Sequence, residues 1–106
     1  MAKVGVIFAQ GFEEIEALTP VDVLRRAGIE CDMIGLTDQT VTGSHAIPVL
    51  MDKVFDGSLS DYDMIVLPGG LPGAHHLRDH DGLIAALQKE AAAGKYIAAI
   101  CAAPVV

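Results

Sequence analysis

A chain of 106 residues holds one domain at most, and with 52% hydrophobic and 20% charged residues it buries a core rather than staying disordered. A net charge of −7, with only seven Lys and Arg, excludes the basic footprint of a nucleic-acid binder and argues against binding an anionic membrane surface. No apolar run reaches the roughly 20 residues of a membrane span, and the N-terminal apolar stretch is too short for a signal peptide, so a cytoplasmic protein is expected.

In chain order, Lys3 to Ala9 is a β-branched apolar run that predicts a first buried strand, closed by Gln10-Gly11. Phe12 to Ala27 has helical spacing at Ile15, Leu18, Val21 and Leu24, with Gly28 where a helix-closing glycine belongs. Pro20 predicts a break near Thr19, because proline removes an amide donor from the helix interior. Glu30 to Leu36 is the second strand, which completes a βαβ unit. Val41-Thr42 and Ile47 to Met51 form an antiparallel excursion turning at Gly43-Ser44, and Lys53 to Tyr62 reads as a loop. Met64 to Leu67 is the next strand, ended by Pro68-Gly69-Gly70. Ala74 to Arg78 gives one or two helical turns. Asp81 to Ala93 is a helix with Asp81 at its N-cap and Gly94 after it. Tyr96 to Ile100 is a last buried strand. With no Trp, the core is Val, Ile, Leu and Ala, which suits a parallel sheet covered on both faces. This order of elements implies a flavodoxin-like α/β fold.

Ligands of such sheets bind beyond the carboxyl ends of the strands. Three segments lie there. Cys101, followed by small residues, ends the last strand and has the form of a strand–nucleophile–helix elbow. Glu16 follows strand one and, flanked by Ile15 and Ala17-Leu18, is a candidate to hydrogen-bond the sulfur, whereas Glu13 and Glu14 are read as solvated residues of a helix start. Gly69-Gly70 brings backbone close, and the N–H of Gly70 together with that of Ala102 is the candidate oxyanion hole. Cys31 opens a strand without such a setting and reads as an inert structural thiol. A reducing cytosol argues against the one disulfide that two cysteines allow. His75-His76 and His80 read as a polar helix junction, so no metal site is expected. Neither GxGxxG nor GxxxxGK[ST] occurs, and no Ser/Thr-rich loop follows strand one, so nucleotide and FMN binding are disfavoured.

Together, Gly11-Phe-Glu-Glu-Ile-Glu16, Pro20-Val-Asp-Val-Leu-Arg-Arg-Ala-Gly28, Tyr62-Asp-Met-Ile-Val-Leu-Pro-Gly-Gly70 and Ala98-Ala-Ile-Cys-Ala-Ala-Pro104 resemble the ThiJ/PfpI superfamily, most closely the branch containing the Parkinson-disease-associated protein deglycase. The resemblance implies a flavodoxin-like, class I glutamine amidotransferase-like sandwich. Residues 1–106 would be the N-terminal portion of a single such domain, ending just after the elbow. It also implies that Cys101 oxidises readily to sulfinate, that Glu16 bonds the sulfur while protonated, and that Gly70 and Ala102 are backbone donors. The implied activity is cofactor-free processing of small reactive carbonyls, of the glyoxalase or deglycase type, in a homodimer. The implied alternatives are a redox-sensing or chaperone role through Cys101, or the thiazole-biosynthesis and protease roles for which some members are named. Two departures stand out. Ser44-His45 occupies the place where the branch often has Ser-Arg, which puts anion binding there in question. Family members are nearly twice as long, so the histidine expected near the cysteine, and the rest of the domain as its partner, fall after Val106.

Overall fold

A computed structural model describes residues 2–101. Five parallel strands form one sheet in the order β5-β2-β1-β6-β7, where β1 is Lys3–Phe8, β2 Glu30–Gly35, β5 Lys53–Val54, β6 Met64–Leu67 and β7 Tyr96–Ala99. A separate antiparallel ribbon pairs β3, Thr40–Thr42, with β4, Pro48–Leu50. Three helices, α1 (Glu14–Arg26), α2 (Gly73–Arg78) and α3 (Asp81–Ala92), cover the sheet. The parallel α/β class expected from the strand pattern is the one observed.

β1 lies at the centre, paired with β2 on one side and β6 on the other. Side chains alternate across a strand, so a strand covered on both faces must be apolar throughout. Accordingly Val6, Ile7 and Phe8 are each fully buried. Val4, Val6 and Phe8 meet Ala17 and Val21 of α1 and Val41 of β3. Ile7, Ile34, Ile65 and Leu67 meet Leu77 of α2 and Leu83 and Leu87 of α3 on the other face.

Several expectations are corrected. α1 is continuous through Pro20 rather than broken at Thr19. The Glu16 carbonyl forgoes its amide partner, but the burial of Ala17 and Val21 on either side of that point holds the helix together, packing overriding propensity. The N-cap of α3 is His80, not Asp81: its Nδ1 accepts the Leu83 N–H at 3.0 Å, the bond an N-cap makes to the residue three ahead. Lys53-Val54 is an edge strand on β2, too short to show periodicity, and Tyr62, read as part of a loop, is fully buried. β7 is not buried: among the described residues it pairs with β6 alone, and Tyr96 is 73% exposed.

Candidate active site

The turns after β1, β6 and β7 converge. The Gly69 N–H donates to Glu16 Oε1 at 3.1 Å, and the Gly69 carbonyl accepts from the Glu13 N–H at 2.9 Å. The 68–70 turn is therefore bonded twice to the first turn of α1. β7 continues its pairing to Ile100, whose N–H reaches the Leu67 carbonyl at 3.1 Å, and this sets Cys101 beside the same turn. A Cβ placed on Gly69 would lie 2.9 Å from the Cβ of Cys101 and from the Ile100 carbonyl oxygen, and closer still to Glu16 Oε1. Glycine is required here because three groups crowd one point. The structure thus brings Cys101, Glu16 and Gly69 together.

Cys101 is exposed and has φ +56°, in the left-handed region that costs an L-residue about 1–2 kcal/mol. A strained turn that presents a side chain at the end of a strand is the form of a nucleophile elbow. Gly70, at φ +96°, lies against the Phe12–Glu13 backbone. Among the described residues its N–H donates to no side chain or carbonyl. Ala102, the other expected donor, lies outside the described residues, as does the histidine expected after Val106. Cys31 contrasts with Cys101: it is 4% exposed, and burial pushes its thiol up, away from the reactive thiolate.

One residue of this region was read differently, and it meets His45 of the Ser44-His45 step. Glu14, read as a solvated residue of a helix start, is only 6% exposed. Its Oε2 accepts the His45 backbone N–H and its Oε1 faces His45 Nδ1, both at 2.9 Å. Burial alone would push this carboxyl up. The His45 ring and the backbone N–H groups of Glu14, His45 and Ile47 outweigh burial and hold it below its ordinary value. The same hydrogen bond, with the charges of Glu14 and Glu13, raises His45. No sequence signal separates Glu14 from Glu13, since both open the helix. Only the fold shows that the β3–β4 turn closes over one of them.

Glu13, Glu14 and His45 bring one donor atom each within 4.8 Å of one another. Those atoms are already engaged, with Glu13 Oε1 capping the Ile15 N–H at 2.9 Å and Glu14 tied to His45, so the group works as a clamp. A cleft of about 330 Å³ lies elsewhere, at the carboxyl ends of β1 and β2, and includes Gln10, Thr37, His76 and His80. His80 is ill-suited to a metal there: its Nδ1 is an acceptor in the cap, so in the neutral ring Nε2 carries the proton.

A parallel α/β sheet with a cysteine on a strained turn at its carboxyl edge, and a carboxylate and glycine backbone packed against it, defines a class of cysteine-elbow α/β proteins. The DJ-1/PfpI family model matches residues 2–106, and the chain belongs to that family. It is 41% identical over 103 residues to Protein dj-1beta of Drosophila melanogaster, covering 95% of this chain and 55% of that protein. It is 38% identical over 102 residues to the Parkinson disease protein 7 homolog of Danio rerio, covering 93% and 54%. Among solved structures, oxidized Toxoplasma gondii DJ-1 superposes with a TM-score of 0.92 at 43% identity, covering 98% of this chain and 58% of that one. Drosophila DJ-1beta superposes with a TM-score of 0.91 at 40% identity, covering 98% and 57%. The chain therefore spans about half the length of the relatives it matches. Among the described residues, no helix is long and apolar enough to cross a membrane.

Proposed function

We propose that this chain carries the nucleophile half of a site that converts small α-oxoaldehydes, with Cys101 as nucleophile and Glu16 as proton carrier. The observation that carries the reading is the convergence of Cys101, Glu16 and Gly69 at one point, with the Gly70 N–H beside them. In the first step the Cys101 sulfur bonds to the aldehyde carbon of methylglyoxal, and the carbonyl oxygen takes up a proton, giving a hemithioacetal. The Gly70 and Ala102 N–H groups stabilise the oxyanion as it forms. Glu16 then moves the proton from the former aldehyde carbon to its neighbour, so that one carbon is oxidised as the other is reduced and no external redox partner is needed. Water cleaves the resulting thioester, releasing lactate and the free thiol. On a hemithioacetal already formed on a protein, the Cys101 sulfur would replace the protein's sulfur at that carbon, the protein thiol leaving with a proton, and the activity would be a deglycase.

Residues 1–106 are read as the N-terminal portion of one domain of this type, and the 55% to 58% share of the relatives it covers supports that. We place the protein in the cytoplasm as a homodimer. The test is lactate formation from methylglyoxal by the complete natural polypeptide. Cys101→Ala should abolish it, a loss of at least about 1,000-fold. Glu16→Gln should reduce it by about 100-fold, the scale of one general acid–base group. Turnover that survives Cys101→Ala would sink the reading.

A second reading, redox sensing, is favoured by one contrast: Cys101 is exposed on a strained turn while Cys31 is buried. Two peroxide equivalents, each leaving as water after giving one oxygen to sulfur, would take Cys101 to the sulfinate.

A further inference from the structure

We propose that His45 is a positioning residue: through Glu14 it fixes the first turn of α1, and with it Glu16, against Cys101, and it does so more firmly when its ring is protonated. The inference rests on Glu16 acting beside Cys101 as read above.

The first turn of α1 is held from two sides. On the inner side, Glu13 and Glu16 exchange hydrogen bonds with the Gly69 carbonyl and N–H. On the outer side, the turn after β3 crosses the helix start: the Gly11 N–H reaches the Thr42 carbonyl and the Ser44 N–H reaches the Phe12 carbonyl, both at 2.8 Å. Glu14 is the side chain that joins this turn to the helix. Any Cβ on Gly43 would strike the Glu14 carboxylate, so the turn's backbone rests directly on that group. A buried carboxylate must be met by donors, and removing one leaves a costly unpaired charge. If the ring donor of His45 is lost, the cheapest relaxation is for Glu14 to swing towards water. That unwinds the turn in which Glu16 sits two residues away.

The chemistry of the partner adds a second property. The side chain of His45 is 67% exposed and that of Glu14 only 7%, so its proton exchanges with solvent although its partner is buried. A neutral ring can still donate one N–H to Glu14. A protonated ring adds charge to that bond and makes it roughly twice as strong. The charged groups facing His45 are Glu14, the first residue of α1, and Glu13, its N-cap, and the Ser44 hydroxyl from its own turn lies 3.2 Å from Nδ1. Both carboxylates favour the protonated ring, whose titration lies above the ordinary imidazole value.

The experiment measures alkylation of Cys101 by iodoacetamide, a readout that does not depend on carbonyl turnover, in the complete polypeptide and in His45→Ala and His45→Arg. His45→Ala should slow Cys101 alkylation by about five-fold, whereas His45→Arg, whose fork keeps a fixed charge on Glu14, should restore it. The ratio of wild-type to His45→Arg rates cancels the ionisation of the thiol itself. It should be flat at low pH and fall in a single-proton step above pH 6.5. An unchanged rate in His45→Ala overturns the proposal. So does a His45→Arg rate as low as that of His45→Ala, or a ratio that stays flat up to pH 9. If this pattern holds while lactate formation is absent, the positioning role stands and the carbonyl reading alone falls.

Discussion

The two ends of the sheet are built on opposite principles. At the amino end, charge is paired off. The Lys3 N–H donates to Asp63 at 2.8 Å, the Lys3 side chain lies 3.3 Å from Glu30, and the Tyr62 hydroxyl donates to Asp32 at 2.7 Å. Lys3 and Lys53 each lie 5.2 Å from the centre of the Tyr62 ring. Burial and the Asp32 bond push the Tyr62 phenol far up, so it remains a donor at every physiological pH. At the carboxyl end, by contrast, the described residues include a non-glycine residue at positive φ, an exposed thiol and a Gly70 N–H with no partner among them. Each end has one cysteine. The contrast teaches that the same residue type is buried or exposed according to which end of a parallel strand it occupies, the carboxyl end being where ligands of such sheets bind.

The largest effect that would sharpen this contrast is selective labelling. In the native protein Cys101 should react with iodoacetamide at least about 100-fold faster than Cys31, whose reaction requires about 3 kcal/mol of local opening. Comparable rates, read by peptide mass spectrometry, would erase the distinction between the ends. Mild peroxide should likewise add two oxygens at Cys101 and spare Cys31.

The next test exchanges one residue at each end. Gly69→Ala places a methyl group 2.9 Å from the Cys101 Cβ and the Ile100 carbonyl, so it should cost about 1–3 kcal/mol in a denaturant titration and slow Cys101 alkylation about ten-fold. Tyr62→Phe leaves the Asp32 carboxylate without its donor and should cost about 1–2 kcal/mol while leaving Cys101 alkylation unchanged. If Tyr62→Phe slows alkylation as much as Gly69→Ala does, the ends are coupled and the contrast fails.

What was legible from the residues follows the same division. The central strands could be read because burial on both faces forces uninterrupted apolar runs at Val4–Phe8 and Met64–Leu67. The convergence of Cys101, Glu16 and the Gly69-Gly70 turn could be read because the strand ends of this fold lie together. Three things could not be read. The two-residue strand Lys53–Val54 has no periodicity to show. The exposure of β7 depends on what lies beside it, not on its own apolar sequence. The burial of Glu14 comes from the β3–β4 turn folding over the start of α1, a contact between residues 31 apart in the chain that leaves no local mark. Pro20 is the reverse case, a strong local signal that packing overrode.

The smallest effect concerns that contact and has a sign in each direction. Glu14 is held below its ordinary value, so its contribution to stability is present above the ordinary carboxylate pKa of about 4.3 and fades as pH falls through the lowered folded value. His45 is raised, so its contribution is complete below the ordinary imidazole pKa of about 6.5 and fades as pH rises through the folded value. The pair should therefore stabilise most between those two values. The midpoint difference between wild type and Glu14→Gln in urea, measured from pH 3 to pH 9, should be widest in that interval and narrow on both sides. The amino end carries no imidazole, so Tyr62→Phe should show no matching loss between pH 6 and pH 9. A Glu14→Gln difference that narrows on the acid side but stays flat from pH 5 to pH 9 would mean that the buried carboxylate is held by backbone N–H groups alone, with the His45 ring adding nothing to stability.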